Sequence, residues 1–355
     1  MKLKLHFIIS SLIFVIFYHS MSYALTRYAP GGNSAGFRIQ LNSDNSVLAT
    51  QPTIGSDSNS YYLIAPVNQT GIIVNQQSAN AYGTVNCPSN YLLGYYYYGL
   101  DESQAYHRVF GYAPNTGFKI NGLTAYRINA NTVYTLYSNN GITSDWKKFS
   151  GTTCSTLYFS SPQPATNFTA QFPFEIRVYV KDIPIDGKII IPGMLLAGYT
   201  RLFQDDGAPN ISYVPPELST VKLDLEPSVI NYPSSCKSNI NNLNINFKTL
   251  DSVNFDSKLT HTVNYQCDRS QLTKVKLSLD YVTDSDPQKR VPLKSGNDTI
   301  YAELNLFDAD INKRGKQIET TINKVKNIQI ESHLSGENKN PGQYSGSAWL
   351  IATFI

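Results

Sequence analysis

The chain has 355 residues, a formal net charge of +3 and 41% hydrophobic residues. That length suits two ordinary domains, and the 29 Lys and Arg and 26 Asp and Glu form no basic run. The sequence therefore gives no support to a nucleic-acid-binding protein, and we expect no nucleic acid among its partners.

The first 24 residues have the pattern of a secretory signal peptide. Two lysines precede an apolar run from Phe7 to Phe17, and Ser22 and Ala24 occupy the −3 and −1 positions of a cleavage site. The run is shorter than the about 18 apolar residues that a membrane-spanning helix needs. We therefore expect cleavage after Ala24, export, and no membrane anchor.

The next part of the chain has the patterns of short β strands. The stretch GFKINGLTAYRI (117–128) places Asn121 and Gly122 between two alternating runs, which is the strongest short signal for a hairpin. The stretch NTVYTLYSNNGITSDW (131–146) predicts a second hairpin with its turn at 139–141. No long stretch has apolar residues at helical spacing. These patterns predict a β-sandwich domain over residues 25–210.

Two stretches of this domain combine aromatic rings with polar side chains. YLLGYYYYGLDESQAYHRVFGY (91–112) puts rings on both faces of a predicted strand, with carboxylates, His107 and Arg108 in the loop that follows. One interpretation is structural, in which some of these rings pack in the core and the others line the surface without binding a ligand. The functional one is a sugar platform, because pyranose rings stack on aromatic faces while polar groups hold their hydroxyls. The candidate ligand-binding residues are Tyr96, Tyr98, Asp101, Arg108, Asn140, Asp145 and Trp146.

Catalytic and metal sites have little support in the sequence. The mature chain has only His107, His261 and His333, which do not form a spaced ligand pair. No nucleophile elbow accompanies His107, and adjacent acidic residues such as Asp101 and Glu102 are usually solvated. We therefore expect no enzyme activity, no metal and no cofactor.

The chain has four cysteines, at Cys87, Cys154, Cys236 and Cys267. An even count in an exported chain predicts disulfides. The long gap between the second and third cysteine favours Cys87–Cys154 and Cys236–Cys267, although three connectivities are possible.

Charge composition changes along the chain. Residues 25–213 contain 11 Lys and Arg and 10 Asp and Glu, whereas the shorter stretch 214–355 contains 16 of each class. With Pro215 and Pro216, this shift predicts a linker at 211–217 and a second all-β domain at 218–355, which has strand patterns at sandwich-like spacing.

The last strand of the second domain is apolar on both faces. Ala348, Leu350, Ala352 and Phe354 lie on one face, opposite Trp349, Ile351 and Thr353. A strand of this kind is typical of a sandwich core and needs partners along both edges. The sequence ends without another strand, and we expect a different chain to supply it by β-strand addition.

The closing stretch PGQYSGSAWLIATFI resembles the end of subunits assembled by the chaperone–usher route. Those subunits have a penultimate aromatic residue, here Phe354 in place of the usual tyrosine, and a glycine fourteenth from the end, here Gly342. The stretch from Ser228 to Cys267 is similar to the start of a pilin domain, whose first cysteine bridges to one that closes the second strand. The resemblance, over about residues 216–355, implies an incomplete immunoglobulin-like pilin domain that lacks its last strand. It places Gly342, Ala348, Leu350, Ala352 and Phe354 at the groove for a chaperone or donor strand.

A domain of roughly 190 residues precedes this pilin-like part, a layout that is similar to a two-domain tip adhesin with an N-terminal lectin-like sandwich. The resemblance implies export through the periplasm to the fimbrium tip. The implied partners are a periplasmic chaperone, an outer-membrane usher, an adjacent fimbrial subunit and a host glycan or other surface receptor. The alternative is a two-domain minor or initiator subunit that binds no receptor.

Overall fold

The computed structural model describes residues 27–28, 34–87, 105–154, 162–204, 207–234, 236–240, 242–268 and 273–355. The described chain is β strand with three short 3-10 helices, at Gln76–Ser78, Ala165–Asn167 and Pro216–Leu218. This confirms the predicted all-β fold. The predicted signal peptide lies outside the described residues. No helix within the described ranges is long and apolar enough to cross a membrane.

Among the described residues, nineteen strands precede residue 232. They are β1 (Arg27–Tyr28), β2 (Gly36–Ile39), β3 (Ser46–Leu48), β4 (Thr53–Ile54), β5 (Ser60–Pro66), β6 (Ile72–Val74), β7 (Ala79–Tyr82), β8 (Thr84–Val85), β9 (Ala105–Gly111), β10 (Asn115–Ile120), β11 (Leu123–Arg127), β12 (Thr132–Tyr137), β13 (Lys147–Lys148), β14 (Gln163–Pro164), β15 (Phe174–Val180), β16 (Lys188–Ile191), β17 (Met194–Gln204), β18 (Val221–Leu225) and β19 (Ser228–Asn231). Nine follow, namely β20 (Cys236–Ser238), β21 (Asn254–Cys267), β22 (Thr273–Asp280), β23 (Val291–Ser295), β24 (Asp298–Asp308), β25 (Lys313–Gly315), β26 (Gln317–Ile322), β27 (Val325–Glu337) and β28 (Trp349–Phe354).

The first domain is a sandwich of two large sheets. One has the order β13-β9-β17-β18-β2-β7 with β1 on β17, and the other has the order β10-β11-β12-β15-β5-β3 with β4 and β6 at its margins. Alternate residues of each strand point inward, so that Phe37, Tyr134, Ile176, Tyr199 and Phe203 pack in one core. The pair of β2 and β18 is parallel, whereas the remaining pairs of these sheets are antiparallel.

The second domain is a smaller sandwich. A sheet with the order β20-β21-β27-β24-β23, with β25 on β24, faces a three-stranded sheet with the order β26-β22-β28. Its core contains Val263, Val275, Leu277, Leu306 and Ile328. The strand β28 lies at an edge of the smaller sheet, which makes that edge the first place to look for a missing partner.

The structure places the end of the first domain later than the sequence analysis did. Strands β18 and β19, which the sequence analysis assigned to the pilin-like domain, lie in the first: β18 pairs with β17 and β2, and β19 pairs with β16. The side chains of Val221, Leu223 and Ile230 are fully buried in the first core, and Tyr232 packs there too. The boundary lies later because β18 pairs with β2, which is far from it in the sequence. No local sequence pattern indicates this pairing.

The first predicted hairpin is present and the second is not. Strands β10 and β11 pair around Asn121 (φ 50°) and Gly122 (φ 77°), both in the left-handed region that a type I′ turn requires. After β12 the chain turns at Gly141 (φ 75°), but β13 pairs with β9 in the opposite sheet. Residues 138–146 thus carry the chain between the two sheets of the sandwich.

Both predicted disulfides are present. Cys87 bonds to Cys154 in the first domain and Cys236 bonds to Cys267 in the second. The second bridge joins directly opposite residues of β20 and β21. Each bridge therefore lies within one sandwich.

Candidate functional site

Strand β28 presents alternate residues to the second core. Ala352 is 4% exposed, and Ala348, Leu350 and Phe354 pack half-buried against the same hydrophobic clusters. This is the face that the sequence analysis assigned to the groove. Gly342, which was assigned to the same groove, lies beside the end of β23. A Cβ on it would lie 2.7 Å from the Ser295 Oγ there.

One edge of β28 is fully paired and the other is mostly not. On the paired edge, β28 runs antiparallel to β22 from Asp280↔Trp349 to Val275↔Phe354. On the other edge, the described chain gives only a short contact, at Ala352–Phe354. Since Ala352 O and Phe354 N point to this outer edge, alternation puts the N–H and C=O of Ala348 and Leu350 there as well.

A second run has the alternation of a strand but no strand partner within the described ranges. In residues 242–247, the sequence NLNINF alternates, with Leu243, Ile245 and Phe247 half-buried against the core and the asparagines exposed. No ladder of backbone hydrogen bonds accompanies this alternation.

These two runs meet the same core side chains. Ile245 and Leu350 both pack against the main core cluster of the second domain, and Ile245 and Ala348 both pack against the cluster of Tyr281, Val291 and Leu304. We call the outer edge of residues 348–351 together with residues 242–247 the open edge. It offers unpaired backbone groups beside half-buried apolar side chains, which is the chemistry that an added β strand recognises.

The sequence-predicted ligand residues divide into three groups. Tyr96, Tyr98 and Asp101 lie outside the described residues. Arg108 and Trp146 come together on the outward face of β9, where the Arg108 Nη1 (3.3 Å) and the Trp146 Nε1 (2.9 Å) both donate to the Ile211 carbonyl. Trp146 is 6% exposed, so its ring packs in the domain and does not offer a face on which a sugar could stack.

Asn140 and Asp145 are exposed on the loop that precedes β13. The Asn140 Oδ1 accepts the Ile142 N–H at 3.2 Å, and the Asp145 Oδ1 accepts the Trp146 N–H at 2.8 Å. The Asn140 Nδ2 also donates to the Ala170 carbonyl at 3.3 Å, so both polar atoms of this amide are engaged within the domain. Asp145 is the one exposed charge next to Trp146 on this loop.

The sequence analysis missed an exposed aromatic residue on the same face. Tyr213 is 58% exposed, and its ring meets the edges of Phe110 at 6.4 Å and Tyr112 at 6.2 Å. The Arg108 guanidinium lies over the Phe110 ring at 4.7 Å. We call Arg108, Phe110, Asp145 and Tyr213 the aromatic face. The predicted linker, which contains Tyr213, packs on β9 and creates it.

His107 belongs to the core and not to a binding loop. It lies within β9, is 0% exposed, and its Nδ1 is 2.5 Å from the Tyr199 hydroxyl. Burial, assisted by the charge of Arg201, lowers the His107 pKa to about 3, so the ring is neutral at physiological pH. Within the described ranges, no cluster of His, Cys, Asp and Glu side chains is arranged to hold a metal ion.

Comparison with known proteins shows what the second domain is similar to. Residues 236–355 match the family model of the C-terminal domain of the fimbrial adhesin MrpH. This domain is similar to a fimbrial adhesin domain. The match begins at the first cysteine of the second sandwich, and over these residues it supports the resemblance to fimbrial adhesins. It also agrees with an adhesive rather than an enzymatic protein.

Several solved structures of adhesins show a distant likeness. They are a mutant of the adhesin CfaE of enterotoxigenic E. coli (10% identity, 94% of this chain, 86% of that chain, TM-score 0.27), the CsuC–CsuE complex of Acinetobacter baumannii (13%, 90%, 99%, 0.25) and the CupB6 tip adhesin of Pseudomonas aeruginosa (10%, 93%, 93%, 0.25). No curated protein matches this chain.

Proposed function

We propose that this protein is a fimbrial tip adhesin. In this proposal its second domain is completed by a β strand of another chain, and its first domain binds a carbohydrate receptor on a host surface. The observation that carries the proposal is the open edge. The family match of residues 236–355 supports the fimbrial part.

The open edge is unfavourable if it stays empty. Burying an aliphatic side chain fully contributes ~1.5–3 kcal/mol, and Leu243, Ile245 and Leu350 are each only half-buried there. Completing their burial is therefore worth roughly 2–5 kcal/mol in all, a large part of the about 5–15 kcal/mol that stabilises a whole domain. An empty edge of this kind is also a site of aggregation. A partner strand therefore fits both the energetics and the backbone geometry.

The partner strand has a definite chemistry. It pairs its backbone with residues 348–351 and presents alternate apolar side chains toward Ile245 and Leu350. In the periplasm this strand belongs to a dedicated chaperone, and in the fibre to the N-terminal extension of the adjacent subunit, with the outer-membrane usher making the exchange between them. These roles follow from the family resemblance together with the open edge.

A matched pair of substitutions tests the open edge. Leu350→Asp puts a charge where the incoming side chains pack, whereas Ser347→Asp places the same charge on an exposed neighbour. We expect the first to abolish recovery of a chaperone complex and display on the cell surface, and the second to leave both unchanged. Peptide mapping of the Cys236–Cys267 bridge reports whether each chain has folded. A Leu350→Asp chain that is displayed like the parent would contradict the proposal.

The receptor part of the proposal is supported by the aromatic face. The exposed Tyr213 ring and the Trp146 ring both contact Phe110, over which the Arg108 guanidinium lies, and Asp145 is the exposed neighbour of Trp146. These residues supply stacking and hydrogen-bonding groups of the kind that sugars need. A glycan array probed with the full chain and its Tyr213→Ala and Asp145→Ala variants tests this part. We expect glycan binding that both variants weaken by at least ~10-fold, which is about 1.4 kcal/mol.

A structural role without a receptor remains the second candidate. The observation that favours it is that Arg108 and Trp146 both spend hydrogen-bond donors on the Ile211 carbonyl and so hold the linker in place. A full chain that binds no glycan on the array and yet supports fibre formation would favour this role.

A further inference from the structure

The loop between β15 and β16 belongs to the first domain but lies on the second. We call Asp182–Ile185 the contact segment. Ile185 is 0% exposed and packs in the main hydrophobic core of the second domain, with Val275, Leu277 and Ala352. One side chain of the first domain thus completes the core of the other.

The contact segment also pairs with the outer edge of β28. The Ile185 N–H donates to the Ala352 carbonyl at 2.9 Å, and the Phe354 N–H donates to the Ile183 carbonyl at 3.3 Å. Pro184 and Thr353 lie opposite each other between these bonds, as a non-hydrogen-bonded antiparallel pair. The segment is therefore a short fourth strand of the sheet β26-β22-β28.

The first domain holds this segment rigidly from behind. The Asn131 Nδ2 donates to the Asp182 carbonyl at 2.7 Å, and the Asn131 Oδ1 accepts the Asp182 N–H at 2.7 Å. The Tyr232 hydroxyl donates to the Pro184 carbonyl at 2.6 Å, and the Ser234 hydroxyl donates to the Ile185 carbonyl. Pro184 has no N–H, so the far side of the segment does not extend the sheet further.

Charged contacts place the first domain on the neighbouring strand β22 as well. Lys276 and Asp280 lie on the outward face of β22, where Lys276 pairs with Asp182 at 3.0 Å and Asp280 pairs with Arg127 at 3.0 Å. The Asp280 carboxylate also accepts the Ala130 N–H. The first domain therefore contacts both β22 and β28, and β28 also carries part of the open edge.

We propose that the contact segment is the permanent partner of Ala352–Phe354, so that the strand of another chain pairs only with residues 348–351 and stops before Ala352. This inference rests on the proposed completion of the second domain by another chain. Four residues correspond to roughly 13 Å of strand at about 3.3 Å per residue. The incoming strand then ends against the first domain, which fixes that domain to the end of the fibre.

Displacement of the segment is disfavoured by what it leaves behind. It exposes the fully buried Ile185 and removes the acceptors of the Tyr232 and Ser234 hydroxyls. Tyr232 is 7% exposed, and a buried donor without an acceptor is destabilising. A longer incoming strand that ran to Phe354 has to overcome all of these losses.

A disulfide across the contact tests the proposal in the fimbriated cell. Pro184→Cys with Thr353→Cys places two thiols at a non-hydrogen-bonded pair, where Cα atoms lie about 4.5 Å apart, within disulfide range. The controls are the two single substitutions. We expect the double variant to be displayed at the parent level, with the new bridge oxidised when fibres are mapped. Loss of display in the double variant alone, or reduced thiols in displayed chains, would overturn the proposal.

Hydrogen exchange on the unsubstituted chain covers the case in which the single variants fail to fold. The Ile185 and Phe354 amides should stay protected both in the chaperone complex and in fibres, and loss of protection in fibres would overturn the proposal. The Leu350→Asp chain separates the two claims. If that chain is displayed normally, completion by another chain fails; if only the locked variant fails, that completion stands and the permanent contact is wrong.

Discussion

The two sandwiches contain the same kind of alternating strand but use it differently. In the first domain β17 lies between β9 and β18 and has hydrogen-bond partners on both edges. In the second domain β28 is also apolar but, among the described residues, has β22 on one edge and only the contact segment on part of the other. An apolar strand does not by itself show where its partners come from. Topology decides that, and in the described part of this domain it leaves residues 348–351 without a strand on their outer edge.

Truncation of the first domain gives the largest expected effect. A fragment of residues 25–232 keeps β18 and β19, whereas residues 25–210 lose them together with the buried side chains of Val221, Leu223, Leu225 and Ile230. At ~1.5–3 kcal/mol for each side chain, the loss is as large as the stability of a domain. We expect cooperative urea unfolding for 25–232 and none for 25–210. Cooperative unfolding of the shorter fragment would show that β18 is dispensable.

The aromatic face gives a contrast between packing and recognition. Trp146 is 6% exposed and Asp145 is its exposed neighbour. Trp146→Ala in the 25–232 fragment should lower the free energy of unfolding by about 3–5 kcal/mol, because it leaves a cavity and a vacant contact at Ile211. Asp145→Ala should lower it by about 1 kcal/mol or less, since only one exposed hydrogen bond is lost. Equal losses in denaturant titrations would show that Trp146 is not part of the packing.

A pH titration sharpens the description of the first core. His107 has a pKa of about 3 in the folded chain against an ordinary 6.5, so the unfolded chain binds the extra proton. Stability is therefore full above the ordinary pKa and falls as pH decreases from 6.5 toward 3. At about 1.4 kcal/mol per pH unit, we expect a loss of roughly 2 kcal/mol between pH 6.5 and pH 5 in the 25–232 fragment. His107→Gln should flatten this slope, and an unchanged slope would place its cause elsewhere.

The local features of the fold could be predicted from the sequence. The hairpin at Asn121 and Gly122 depends on two residues that accept positive φ, and the core face of β28 depends on strict alternation. The disulfides followed from the even cysteine count and the gap between the halves. Each of these signals lies within a few residues or in a simple count.

The features that the sequence analysis missed depend on distant contacts. Nothing in the residues around Val221 indicates that β18 pairs with β2 of the first domain. The role of Arg108 and Trp146 depends on the path of the chain at Ile211, and Tyr213 gains its surroundings from the same path. Residues 242–247 alternate like a strand and yet have no ladder of backbone hydrogen bonds, because alternation reports burial and not pairing.

The open edge is tested most directly by amide exchange at Leu350. Its N–H points away from β22, so it is protected only if a strand of another chain lies beside it. The measurement compares this amide, in chains recovered from fibres, with the Ile351 amide, which faces β22. If a strand of another chain fills the open edge, both amides are strongly protected in fibres. Fast exchange at Leu350 with protection at Ile351 would show that the edge stays empty and would contradict completion by another chain.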